Sequence, residues 1–506
     1  MKNLTFVLIA FLLLTSQAAL RAQSKAFDGV LKVQLRNVGA ITQDDQVTGY
    51  YMFYKTDRGK KGMANFELKV IDPELNVVMT KRMTRDYSFS LAQAVSNGEA
   101  ILFKFWDSKN KKLQFKAYNF QGESVLSRSV GFKDRNEMAM YGREVGSFNT
   151  YGTAAIPGYG FLEYLPKKYD KMSYKVKYFP LDEGEKGWTL KGSTKEVESA
   201  LYLCHIDTIL INVVNSRPKL LGAKDTRFIL EGISLRSGER LFSTDLMAEG
   251  YNVRIINGVL APDGENILLY GLYHDEGTKV TTKSEGLTKI VLNRKGEVLR
   301  DYRLSWEEDF QIDNAEEESE DYGNIFFHQF VAGPAGETYL IGEQYGMNAG
   351  LTALSMVTNS RGGSAYKVKD MLIFEMDKDF KLQRAEVVEK SQNSYLAGKL
   401  PIGNSTQIGM MMDYYGWFDF TFLQHLSTPG DFTIGYVNFE KKKGAKNELI
   451  FGGVTHTGEA YSYDKVSLST KGKDVSVLRA KPGYVCLVEY TRKTKSLNWR
   501  LEKINF

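Results

Sequence analysis

Leu260-Ala261-Pro262-Asp263-Gly264-Glu265-Asn266-Ile267-Leu268-Leu269 reads as a tight turn followed at once by a strand. The Asp-Gly pair supplies the turn, because aspartate bonds to the backbone just ahead of it and glycine accepts a left-handed conformation without steric cost. The phrase returns as Gly98-Glu99-Ala100-Ile101-Leu102 and as Gly336-Glu337-Thr338-Tyr339-Leu340. A shorter version stands at Gly122-Glu123, Gly238-Glu239, Gly296-Glu297 and Gly458-Glu459. Recurrence of a turn and strand at this scale predicts stacked or radial β-modules.

Working outward, alternation with period two dominates the chain. Tyr50 to Tyr54, Phe66 to Val70, Ile101 to Phe105, Leu113 to Tyr118, Tyr174 to Tyr178, Ile209 to Val214, Asn266 to Tyr273 and Phe432 to Tyr436 all read as strands. The 29 Tyr and 29 Phe suit pleated, half-buried surfaces, and 46 Gly leave few long helical stretches. The fold class is therefore all-β. Ala92–Ser96 and the acidic block near Glu316 read as weak helical turns.

Outer hairpins are expected near Pro73–Asn76, Gln121–Glu123, Glu183–Glu185, Ser237–Glu239, Lys295–Glu297, Asp377–Asp379, Thr457–Glu459 and Lys493–Lys495. Most are about 45 to 85 residues apart, which fits four-stranded propeller blades with generous loops. The count gives a β-propeller of eight blades over residues 24–506, with seven as the alternative and two smaller β-domains as the rival architecture. Residues 471–506 supply about three strands. Closure then calls for an N-terminal strand such as Gly29–Leu35, which removes exposed edges. Insertions are expected near 305–323, 346–364 and 392–416. Cys204 falls in the fourth module and Cys486 in the eighth, too far apart for disulfide geometry, so both are expected as free thiols.

The stretch from Leu260 to Leu269 resembles the Ser-Pro-Asp-Gly-type turn and strand of bacterial periplasmic TolB-like propellers. Gly333-Pro334-Ala335-Gly336-Glu337 matches it in part. The chain as a whole resembles exported Bacteroidota proteins with TolB-like or WD40-like propeller repeats. The resemblance implies a fold and carries no functional residue with it.

The first residues predict export. Lys2, an apolar run from Leu4 to Leu14, and Ser16, Ala18, Ala19 and Ala22 have the order of a secretory signal peptide over 1–22. Cleavage is expected after Ala22, with Ala19 as the alternative. The apolar run is shorter than the ~20 residues that a bilayer span requires, and no cysteine near the cut offers a lipid anchor. Loss of Lys2 and Arg21 takes the formal charge from +5 to +3. So small an excess does not make the basic face that nucleic-acid binding needs. The expected destination is the periplasm or the exterior, as a soluble protein and a monomer.

Catalytic signatures are absent from the sequence: it holds no Gly-x-Ser-x-Gly, Walker loop, His-Glu-x-x-His or Cys-x-x-Cys. His274-Asp275-Glu276 offers metal ligands on a loop, but it reads better as an exposed polar hairpin. His328 offers a base in a central channel, and reads better as a satisfied histidine in a strand. The acidic block around Glu316 attracts cations without the ordered spacing of a calcium loop. No metal or cofactor is expected. Met410-Met411-Met412-Asp413-Tyr414-Tyr415-Gly416-Trp417-Phe418-Asp419-Phe420 is the densest unusual segment. Tyr414, Tyr415 and Trp417 make a candidate aromatic platform with Asp413 as its polar handle. Blade-core packing is the competing reading, since Trp417 to Phe420 alternates like a strand.

These observations favour a non-catalytic binding or scaffold protein of the cell envelope, presenting propeller loops to a protein, peptide or glycan. The alternative is an envelope hydrolase acting on glycans or peptides through dispersed acidic residues. A convergent cluster of buried carboxylates or histidines at one mouth of the ring separates the two.

Overall fold

The structure, a computed structural model, describes residues 23–504 apart from 44, 135–136, 139–151, 167–172, 183, 194, 219–225, 248–249, 262, 281–282, 311–323, 348–364, 397–404, 441–447, 459 and 469–471. Residues 1–22, read above as a signal peptide, the acidic block near Glu316 and most of the 346–364 insertion therefore lie outside the described residues.

Eight antiparallel sheets follow one another along the chain. Their first strands are Lys32–Gln43, Ser90–Ser96, Thr153–Ile156, Val197–Ile206, Tyr251–Leu260, Ile325–Ala332, Phe420–His425 and Asp474–Arg479. Neighbouring sheets meet largely through these strands, which line the axis of an eight-bladed propeller. Burial grades outward as that geometry requires. Second strands such as Ile267–Asp275 are buried on both faces between adjacent blades. Fourth strands such as Arg240–Asp245 are largely open to solvent. Alternation is cleanest in third strands such as Met63–Ile71, where every second side chain enters the inter-blade core.

The last blade has three strands of its own, Asp474–Arg479, Tyr484–Thr491 and Ser496–Lys503, and Ser24–Phe27 completes it. Lys25 lies opposite Trp499 in this pairing, and the Leu501 N–H donates to the Gln23 carbonyl at 2.9 Å. The N-terminal closure is as expected, but its strand lies earlier than Gly29–Leu35. Residues from Lys32 onward already form the innermost strand of the first blade. Two more local expectations change. Ala92–Ser96 belongs to the strand Ser90–Ser96, whose register shifts between Leu91 and Gln93. The turn at Lys493–Lys495 joins the second and third strands of blade eight, because the chain terminus supplies the outer one.

All seven glycines of the Gly-Glu phrase have positive φ, from 61° at Gly458 to 92° at Gly98 and Gly336. Some of the glutamates act in the turns. Asn293 Oδ1 accepts the Lys295 and Glu297 N–H groups, while Asn293 Nδ2 donates to Glu297 Oε2 at 2.6 Å. Asn119 and Glu123 repeat the exchange. Cys204 lies in the fourth blade and Cys486 in the eighth, both as free thiols.

Candidate functional site

Blade six is built differently from its neighbours. Its second strand, Thr338–Met347, and its third, Ala365–Met376, run on past the ring. The extension of the third strand pairs with an additional short strand, Asn393–Leu396. A helix, Ser405–Tyr414, follows before blade seven begins. Gly416 ends it with φ of 64°, as the Gly416 and Trp417 N–H groups return to the Asp413 and Met412 carbonyls at 2.9 Å. This is the left-handed glycine stop that commonly closes helices.

Helical periodicity divides the side chains. Ile408, Met411 and Met412 pack into a small core with Tyr345, Tyr366 and Phe418. Gly409 lets the helix approach, since a Cβ there would stand 2.8 Å from Tyr345 Oη and 3.1 Å from Phe326. Thr406, Met410 and Asp413, at i, i+4 and i+7, share the other face and line a cavity of about 650 Å³. Its remaining walls come mainly from the first strands of blades four to seven, including Leu201, Arg254, Phe327, His328 and Phe420.

Two opposite charges face this cavity without meeting. Arg254 donates to Thr406 Oγ1 at 2.9 Å and has no carboxylate partner among the described residues. Burial holds its pKa below the ordinary arginine value, with the Tyr345 phenol acting the other way. Asp413 makes no side-chain hydrogen bond or ion pair among the described residues. Burial raises its carboxyl pKa, and nearby His328 opposes the rise.

His328 reaches its place through a β-bulge. Phe327 pairs with Gly342 and Gln329 with Ile341, leaving His328 outside the ladder; such bulges re-aim a side chain. Its ring stacks on Phe420 at 4.6 Å, and Nε2 lies 2.9 Å from Glu343 Oε2. Glu343 also contacts Lys390 Nζ at 2.8 Å and accepts the backbone N–H groups of Asp419 and Phe420. Burial works to raise its carboxyl, but the His328 hydrogen bond and the Lys390 charge prevail and bring it down to about 2. Lys390 also reaches Asp419 Oδ2 at 2.6 Å, where Asn438 Nδ2 donates at 2.8 Å. This network joins blade six to blade seven, and its groups are occupied with one another. His328 is the satisfied strand histidine expected from sequence, and it also borders the cavity.

The four residues singled out in the sequence are divided. Asp413 lines the cavity. Tyr415 and Trp417 lie outside it and stack at 5.4 Å, and Tyr395 covers the other side of Trp417 at 5.3 Å. Tyr415 is half exposed. The side chain of Tyr414 lies outside the described residues. Trp417–Asp419 form the approach to blade seven, whose strand starts at Phe420.

His274 is fully buried in the strand Ile267–Asp275, not displayed on an exposed hairpin. Burial and then the Arg254 charge depress its pKa to about 4. Arg254 stands in no local sequence motif, and the helix was hidden by its glycine and aromatic flank. Its legible signals were the Thr406–Met410–Asp413 spacing and the stop at Gly416.

One family model matches residues 1–505, and its description is a family of unknown function, DUF6770. No curated protein matches the sequence. Among solved structures, the chain is similar to the WD40 domain of SCAP from fission yeast, at 8% identity and TM-score 0.37, covering 95% of this chain and 98% of that one. It is similar to prolyl oligopeptidase B from Galerina marginata, at 9% identity and TM-score 0.41, covering 94% of this chain and 56% of the enzyme. TolB from Acinetobacter baumannii matches at 10% identity and TM-score 0.24, covering 82% of this chain and 79% of that one. The likeness to TolB and WD40 propellers is thus found at the level of fold. Likeness this distant carries no argument about activity.

Proposed function

The chain belongs to this family of unknown function, and on that premise we propose an exported, non-catalytic binding protein of the cell envelope that takes its ligand into the cavity beneath the Ser405–Tyr414 helix. Support for export comes from Lys2, the apolar run Leu4–Leu14 and the small residues ending at Ala22. The observation carrying the binding reading is the cavity itself: about 650 Å³, walled by several blades and an inserted helix, with polar and apolar side chains sharing its lining.

Asp413 is the one carboxylate among the described residues lining that cavity. A glycosidase of the usual two-carboxylate kind needs a second. Glu343 and Asp419 lie close in the fold, but Lys390, His328 and backbone N–H groups engage them. The raised Asp413 carboxyl beside His328 favours the hydrolase reading, because a buried acid near a histidine is a candidate proton donor.

The test is a panel of short peptides and oligosaccharides, assayed for binding by calorimetry and for cleavage by mass spectrometry. Binding without cleavage, lost in Met410→Trp, is the expected result. Cleavage abolished by Asp413→Asn establishes the hydrolase instead. Binding that Met410→Trp leaves unchanged moves the site elsewhere.

A further inference from the structure

The cavity is electrically polar along its length. Arg254 stands at the Thr406 end of the helix, and Asp413 stands seven residues further along the same face. At 1.5 Å of rise per residue, Thr406 and Asp413 stand about 10 Å apart along the helix axis. Arg254 has no carboxylate partner among the described residues, and Asp413 makes no ion pair among them, though His328 lies near it. Charges withdrawn from water are ordinarily paired, and these two, each part-buried, stand apart on one cavity.

The helix adds to this polarity. Its positive end lies at Thr406, beside the arginine, and its negative end at Asp413. It carries no acidic residue in its first turn and no basic residue in its last. An anionic group is therefore favoured at one end and a cationic group at the other. The rest of the lining is mixed, with Met410, Leu272, Phe327 and Phe330 beside Asn215, Asn257 and Gln329.

Resting on the binding reading above, we infer that the ligand is a short peptide bound as a zwitterion, its terminal carboxylate on Arg254 and its terminal ammonium on Asp413. Three residues in an extended conformation span about 10 Å, which matches the rise of the helix from Thr406 to Asp413. Apolar side chains at the centre meet the methionine and phenylalanine surface. A neutral oligosaccharide of equal length leaves both charges unanswered.

Calorimetry with trialanine, its C-terminal amide, its N-acetyl form and N,N′,N″-triacetylchitotriose tests this assignment. Capping either terminus is expected to weaken trialanine binding about tenfold, the loss of one charge-assisted contact. Arg254→Gln is expected to erase the effect of the amide alone, and Asp413→Asn the effect of the acetyl group alone. The capped peptides report on the same charges without altering the protein, so a poorly folded variant does not void the result. Trialanine that fails to bind, or binds equally well when capped, overturns the zwitterion assignment. If the chitotriose then binds and Met410→Trp abolishes it, the cavity remains the binding site with a different ligand. If no member of the panel binds there, the binding reading falls as well.

Discussion

Lys390 Nζ lies 2.8 Å from Glu343 Oε1, and both side chains are almost wholly removed from solvent. Lys390 follows the fourth strand of blade six, Leu382–Val388, while the other groups holding Glu343 include the backbone at the start of blade seven. The pair therefore fixes the junction that carries the helix. Lys390→Met leaves Glu343 and Asp419 buried without their cation, a change that typically costs about 3–5 kcal/mol. A lowered urea midpoint with an unchanged slope is the expected result; an unchanged midpoint refutes this role for the pair.

The same network makes stability depend on acidity. The Glu343 carboxyl titrates at about 2 when folded, against 4.5 for an ordinary glutamate. Its contribution is full above 4.5 and is lost as pH falls through 2. Asp419 shifts the opposite way, raised by burial and by Glu343 although Lys390 opposes it, and it offsets part of the loss. Melting curves between pH 6 and 2 are expected to show a steeper acid loss in the parent than in Glu343→Gln. Parallel curves exclude Glu343 as the source.

Gly409 sets how closely the helix approaches blade six. A methyl group there meets buried Tyr345 at 2.8 Å, so the ring or the helix must move. Alanine gains about 1 kcal/mol in helix propensity over glycine, but overpacking costs typically 1–3 kcal/mol. Gly409→Ala is expected to lower the melting temperature and to alter Trp417 emission, because Trp417 packs beside the same small core. A melting temperature that rises means the propensity gain prevails and the contact is loose.

The eight blades were legible because their signals are local. A positive-φ glycine announces a turn wherever it stands, and alternation over a few residues announces a strand. The cavity was not legible because its determinants are distant: Arg254 and Thr406 are 152 residues apart and meet through the ring. Asp413 could be singled out from its aromatic surroundings, but its separation from Tyr415 and Trp417 depends on the helix ending at Gly416. His328 shows a further limit. A bulge aims it at Glu343, and no residue pattern around Phe326–Phe330 specifies that extra residue in the ladder.

The two thiols offer a probe of the inter-blade core. Burial pushes both Cys204 and Cys486 up to about 12, and the thiolate is the reactive form. Iodoacetamide at pH 8 is expected to leave the native protein unlabelled and to modify both cysteines in urea. Labelling of native Cys204 alone indicates local opening of blade four, and labelling of both indicates a loose ring.

Closure of the ring depends on four residues. Ser24–Phe27 cover the edge of Ser496–Lys503, and Val30 just beyond is fully buried, its N–H donating to the Lys495 carbonyl at 2.9 Å. Deleting residues 23–30 leaves that strand with unpaired backbone groups and uncovers the core beside Trp499. An exposed edge invites pairing with another chain. The truncated protein is therefore expected to melt lower and to form concentration-dependent oligomers in gel filtration. Adding a synthetic peptide of residues 23–31 in trans is expected to restore the elution volume of the parent, because it supplies the missing strand. Oligomers that persist with the peptide bound point to an edge other than this one, and a truncated protein that elutes as the parent does with an unchanged melting temperature shows that the ring closes without the strand.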